Sequence, residues 1–157
     1  ITNDDIAPTL TVVKVAVNND GGNDTIDDFG ITLNDDALSF GSGLPIGNVT
    51  TYVSSQRVSS NIEYELDEAD LSGYDEGSWY CIDDHLHRVY NPFTLDEGQN
   101  VVCTIINNDI APTLTVVKDV VNDNGGDATV NDFNIKMEDV SLVFDSGTTN
   151  TDTRTTT

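Results

Sequence analysis

A stretch of this chain occurs twice. Residues 1–14 read ITNDDIAPTLTVVK, and residues 105–118 read IINNDIAPTLTVVK. The offset of 104 positions then continues without a gap. Val17-Asn18 returns as Val121-Asn122, Gly21-Gly22 as Gly125-Gly126, Asp28-Phe29 as Asp132-Phe133 and Ser42-Gly43 as Ser146-Gly147. About 25 of the 43 aligned positions are identical. A period near 100 residues is the size of one small domain and too long for a solenoid unit, so the pattern predicts separate modules, each with its own core.

The repeat also sets a phase. Residues 6–109 are expected to form one complete module, and residues 110–147 the opening strands of a second, incomplete one. Residues 1–5 match the last strand of a preceding module. Residues 148–157 read as a Thr-rich linker or tail.

Within each module the apolar pattern is one of alternation, without helical periodicity. Thr9–Val17 is β-branched and long enough for a strand, and an Asn/Asp/Gly turn signal follows it. Further strands are expected over 26–33, 38–40, 49–54, 62–66, 78–82, 88–95 and 101–106, with GSGLPIG (41–47) as a loop. Seven or eight short strands at regular spacing predict an all-β Greek-key β-sandwich, with a small barrel as the alternative.

Charge narrows the function classes. Six Lys and Arg face 28 Asp and Glu, for a formal charge of −22. The six cations are scattered, so there is no basic face for nucleic acid or for an anionic membrane surface. No apolar run approaches the roughly 18 residues of a membrane-spanning helix, so no membrane insertion is expected of this segment. Cys81 and Cys103 fall in the same module and are expected to form a disulfide, which points to an extracellular or cell-surface protein. A zinc site with His85 and His87 is the rival reading, but Cys-x3-His-x-His departs from the common structural zinc spacings, and no metal site is assigned. The Asx-rich turns, 18–24 and 122–127, offer calcium oxygen ligands but lack the spacing of an EF-hand loop. Asp4-Asp5 and Asn108-Asp109 offer the same between modules. No cofactor is expected beyond calcium in such turns.

Asn23 and Asn48 begin Asn-x-Thr acceptor triplets. In the Thr-rich run, Thr148, Thr149, Thr151 and Thr153 are candidate O-glycosylation sites. There is no nucleophile–base–acid set and no phosphate-cradling loop, so an enzyme is not expected.

Tyr64-Glu65-Leu66-Asp67-Glu68 followed by Ser72-Gly73-Tyr74 resembles the Tyr-x-Leu-x-Glu…Gly-Tyr signature of prealbumin-like domains. These are the SpaA-type pilin domains and the collagen-adhesin B-type repeats of bacterial surface proteins. The opening strand with Lys14, the NDGG-type turn and the closing Cys103–Asn107 agree with that resemblance. It implies a non-enzymatic module of a filament, pilus or adhesin stalk. It also implies an internal Lys–Asn isopeptide bond, with Lys14 in the first strand, Asn107 in the last and Glu68 at the family's Glu position. The bland alternative is an exposed Lys14, a turn Asn107 and Glu68 as one acid among many.

Expected partners are copies of the chain itself, in a head-to-tail homopolymer, or neighbouring repeats. Strand complementation between copies is one route, and in that arrangement Lys118 meets Asn3 of the next copy. The function from a different class is a ligand-binding adhesin domain, for glycan or matrix and calcium-dependent, with a concave site lined by Trp79, Tyr80 and Tyr90. The lone Trp79, beside Cys81, is otherwise expected to pack in the core.

Overall fold

The computed structural model describes residues 1–144 and the backbone of residues 151–155. The chain divides into two compact units, Ile1–Ile110 and Ala111–Thr157.

The first unit is all β. Its strands are β1 (Thr9–Val17), β2 (Thr32–Leu33), β3 (Asp36–Ala37), β4 (Leu44–Ile46), β5 (Val49–Arg57), β6 (Glu63–Tyr64), β7 (Leu66–Asp67), β8 (Tyr74–Glu76), β9 (Tyr80–Asp83), β10 (Arg88–Val89), β11 (Phe93–Thr94) and β12 (Asn100–Asp109). The large sheet runs β10-β9-β12-β1-β5-β4, with β8 also on β12. Opposite it lie β3-β2-β7 and the pair β11-β6.

The first and last long strands are neighbours. β1 pairs with β12 in parallel, Lys14 opposite Ile105 and Ala16 opposite Asn107. On its other side β1 pairs antiparallel with β5. Alternation then sorts the side chains. Leu10, Val12, Lys14 and Ala16 of β1 point inward and are buried, as are Val101, Cys103, Ile105, Asn107 and Asp109 of β12. The smaller strands and their loops close the other side with Phe29, Ile31, Leu33, Tyr64, Leu66, Phe93 and Leu95.

Several expected strands change shape. Residues 26–29 form a turn, because the Thr25 backbone N–H and hydroxyl both donate to Asp28 Oδ2, at 2.8 and 3.0 Å. That local bond competes with extension and leaves only Thr32–Leu33 as strand. A two-residue hairpin follows, with Asn34 and Asp35 at φ 50° and 66°, the left-handed pair that suits a tight β-turn. It puts β3 at Asp36–Ala37 instead of 38–40. The GSGLPIG segment contains β4 as an edge strand, where Pro45 costs no central ladder bond. The strand expected over 88–95 breaks at Asn91-Pro92, and the Asn91 side chain pairs with the Leu66 backbone instead.

The second unit repeats this local chemistry on β13 (Thr113–Val117), β14 (Lys136–Met137) and β15 (Val140–Ser141). Thr129 donates to Asp132 Oδ2 as Thr25 does to Asp28, at 2.7 and 2.9 Å. Glu138 and Asp139 take the left-handed pair of Asn34 and Asp35. Residues Thr151–Thr155 form β16, antiparallel to β13.

Candidate functional site

Two inward positions on adjacent parallel strands define the site. Lys14 and Asn107 are offset by one inward step across the β1–β12 pair. Above them, Tyr64, Leu66 and Glu68 alternate inward along β6, β7 and the residue that follows. The Glu68 carboxylate thus enters the core opposite β1. Lys14 Nζ lies 2.5 Å from Glu68 Oε1, and Asn107 Nδ2 donates to the same oxygen. All three residues are buried, Lys14 completely and Asn107 nearly so. The Phe29 ring closes the floor, its centroid 3.8 Å from Lys14 Nζ.

Burial dominates the electrostatics. Desolvation lowers the Lys14 pKa against the opposing pull of Glu68. It likewise raises the Glu68 carboxyl, again against Lys14. Both directions favour a neutral amine beside a neutral carboxylic acid over a buried ion pair. Two buried polar atoms, Glu68 Oε2 and Asn107 Oδ1, have no hydrogen-bond partner among the described residues. An acid proton on one and a carbonyl oxygen on the other form a complementary donor and acceptor.

Next to this trio a second buried acid has a separate role. Asp109, one inward step beyond Asn107, accepts the backbone N–H groups of Asn19 (2.8 Å), Asp20 (2.7 Å) and Gly22 (2.7 Å). Burial pushes its carboxyl up, but these N–H bonds outweigh it and hold the group below the usual carboxylate range. Tyr74 donates to Asn18 Oδ1 at 2.6 Å and stands edge-on to Phe29 at 5.3 Å between centroids. The NDGG turn is therefore fastened to the last strand, and Asp109 spends both oxygens on backbone. Neither Asp109, named above only for calcium oxygens, nor Phe29, named only for its repetition, is assigned this role by the sequence. The signal for Asp109 was its spacing, two residues past Asn107 and so on the same face.

The other predicted residues fall as follows. Cys81 and Cys103 form a disulfide between directly opposed positions of β9 and β12. Trp79 packs partly buried against the core. His85 and His87 are exposed, with Nδ1 atoms 2.9 Å from Asp84 and 3.2 Å from Asp83. Asn23 and Asn48 are exposed in turns, and Asn3 is exposed ahead of β1. In the second unit Lys118 Nζ lies 4.4 Å from the Phe133 centroid, the counterpart of Lys14 over Phe29, and donates to Asp119 O. Thr148 and Thr149 lie outside the described residues, and Thr151 and Thr153 lie on β16.

Among the described residues no helix is long and apolar enough to cross a membrane. No curated protein and no solved structure matches the chain. The model of a SpaA-type prealbumin-like fold domain matches residues 5–105. That span includes Lys14 and Glu68 and stops two residues before Asn107. It covers well over half of the sequence, and the chain belongs to the SpaA-type prealbumin-like domain family.

Proposed function

We propose that the first unit is a non-enzymatic stalk module of an extracellular pilus or adhesin, closed by an internal isopeptide bond between Lys14 and Asn107. The observation that carries the proposal is the single Glu68 oxygen held by both reacting side chains in a buried site. Family membership supports the stalk role, and the disulfide supports an oxidising compartment.

The chemistry follows from the protonation states. Neutral Lys14 carries a lone pair on Nζ. A half-turn of the Asn107 amide exchanges Nδ2 for Oδ1 and brings the carbonyl oxygen to the Glu68 carboxyl. The acid proton then polarises that carbonyl. Nζ attacks Cγ, and a Nζ–Cγ bond forms as the carbonyl oxygen takes the proton from Glu68. Glu68 next removes a proton from Nζ and delivers one to Nδ2. The Cγ–Nδ2 bond breaks and ammonia leaves, the hydroxyl proton returns to the Glu68 carboxylate as the carbonyl re-forms, and a secondary amide remains. Each module reacts once, so this is self-crosslinking and not turnover.

Intact mass tests the proposal. The expected mass is below the sequence mass by one ammonia, after allowing for the disulfide, with Lys14 and Asn107 joined in one peptide after digestion. Glu68→Gln and Asn107→Ala are expected at full mass. A wild-type chain at full mass overturns the crosslink.

One observation favours the ligand-binding alternative. A shallow cavity of about 360 Å³ is lined by Glu76, Trp79, Arg88, Tyr90 and Asn91, an aromatic and polar set that suits a sugar ring. Quenching or enhancement of Trp79 fluorescence on glycan titration would support this reading.

A further inference from the structure

The outer face of the large sheet is a broad surface of the first unit that its many carboxylates avoid. Register brings its centre together: Val13 lies between Val53 and Thr104, Val15 between Thr51 and Ile106, and Thr11 beside Val102. Val53, Val102 and Ile106 are 45%, 40% and 51% exposed. Outward positions of the sheet carry charge only at its margins, with Asp75 on β8, Arg57 ending β5 and Arg88 on the edge strand β10. The sequence holds 28 Asp and Glu residues and a net charge of −22, and among the strand residues of the first unit only Asp75 puts a carboxylate on this face.

We infer that this face is a self-association surface, the outer sheet of one copy packing on the outer sheet of a second copy of the chain. The inference is independent of the isopeptide bond, which lies on the opposite side of the sheet. Two copies at this charge repel wherever acids meet. Only a face nearly free of carboxylates lets like meet like without burying unpaired charge. Three strands of nine or ten residues, with the shorter β4, β8, β9 and β10 beside them, at a spacing of about 4.8 Å and ~3.3 Å per residue make a patch on the order of 600 Å². A stable interface takes about 600–1,000 Å² from each partner, so the patch reaches the lower end of that range. β-Branched side chains on two such faces interdigitate at a sheet spacing of about 10 Å, and an isologous pair closes on itself.

Sedimentation of the full chain across concentration and salt tests this. The wild type is expected to dimerise, and more strongly at high salt, because salt screens the repulsion between the acidic surfaces. Val53→Asp with Ile106→Asp is expected to weaken the dimer by at least about a hundredfold. Val53→Thr with Ile106→Thr, a milder pair that keeps the branched shape, is expected to weaken it by about tenfold. A wild type that stays monomeric at millimolar concentration in high salt overturns the inference. So does a dimer insensitive to both pairs.

Discussion

Lys14 and Asn107 stand on neighbouring parallel strands, one inward step out of register, and the same Glu68 oxygen touches both. The offset matters because Lys reaches much farther from its backbone than Asn. An amine one step behind on the adjacent strand therefore arrives beside the shorter carboxamide.

Removing the acid exposes what it balances. Glu68→Ala leaves the neutral Lys14 amine and the Asn107 carboxamide buried without their shared acceptor, and a buried polar group left unpaired costs about 1–3 kcal/mol. The crosslink is expected to be absent and the denaturant midpoint to fall accordingly. Lys14→Met with Glu68→Leu also lacks the crosslink but keeps the space filled. It is expected to recover most of the loss, as chemical denaturation of the two variants side by side will show.

Cys81 and Cys103 close a loop of 22 positions within the sheet. Replacing both by Ser is expected to lower stability by about 3 kcal/mol through the greater freedom of the unfolded chain. Calorimetry of the variant beside the wild type gives the value, with reduction of the wild type as an independent route to the same state.

Gly22 lies tight against the last strand. A Cβ there meets the Tyr74 hydroxyl at 2.5 Å and Asp109 Cβ at 2.8 Å. Gly22→Ala is therefore expected to cost about 1–3 kcal/mol by overpacking, read from thermal unfolding. Gly21, where an added Cβ meets nothing, is held instead by its φ of 98°.

Asp109 gives the fold a pH dependence with a definite sign. Its carboxyl is depressed in the folded state, so its contribution is present above the unfolded pKa of about 3.9 and is lost as the pH falls through the folded value. Amide protection at Asn19, Asp20 and Gly22 is expected to fall as the pH drops below about 4 and through the depressed folded value. In Asp109→Asn that protection is expected to be low already at pH 7 and to change little with acid. Asp28 and Asp132 shift in the same direction through their Thr25 and Thr129 bonds, so global stability retains some acid sensitivity in this variant.

Period-two alternation carried most of the architecture. Thr9–Val17 is a strand over its full predicted length, and inward Lys14 follows from its spacing to Leu10 and Val12. The site trio is legible because the resemblance points to Glu68 and to Asn107 in the closing strand, and parity puts Asn107 on the face of Cys103 and Ile105. Sequence could not supply the pairing of β1 with β12, which depends on residues some ninety positions apart. The turns were harder to read. Thr25 with Asp28, and Asn91 with Leu66, use side chains to replace backbone ladder bonds, and periodicity does not register such substitutions. The role of Asp109 is hidden for a related reason: its acceptors face three turn N–H groups brought in from the far end of the module.

The parallel pairing of the first and last strands also fixes how the module meets tension. Load enters β1 at Thr9 and leaves β12 at Asp109, at opposite ends of the pair. Pulling slides the strands lengthwise, so the whole register resists together and cannot unzip bond by bond. In the proposed crosslinked form, the load would cross from strand to strand through one amide, and the chain folded between Lys14 and Asn107 would never feel the pull.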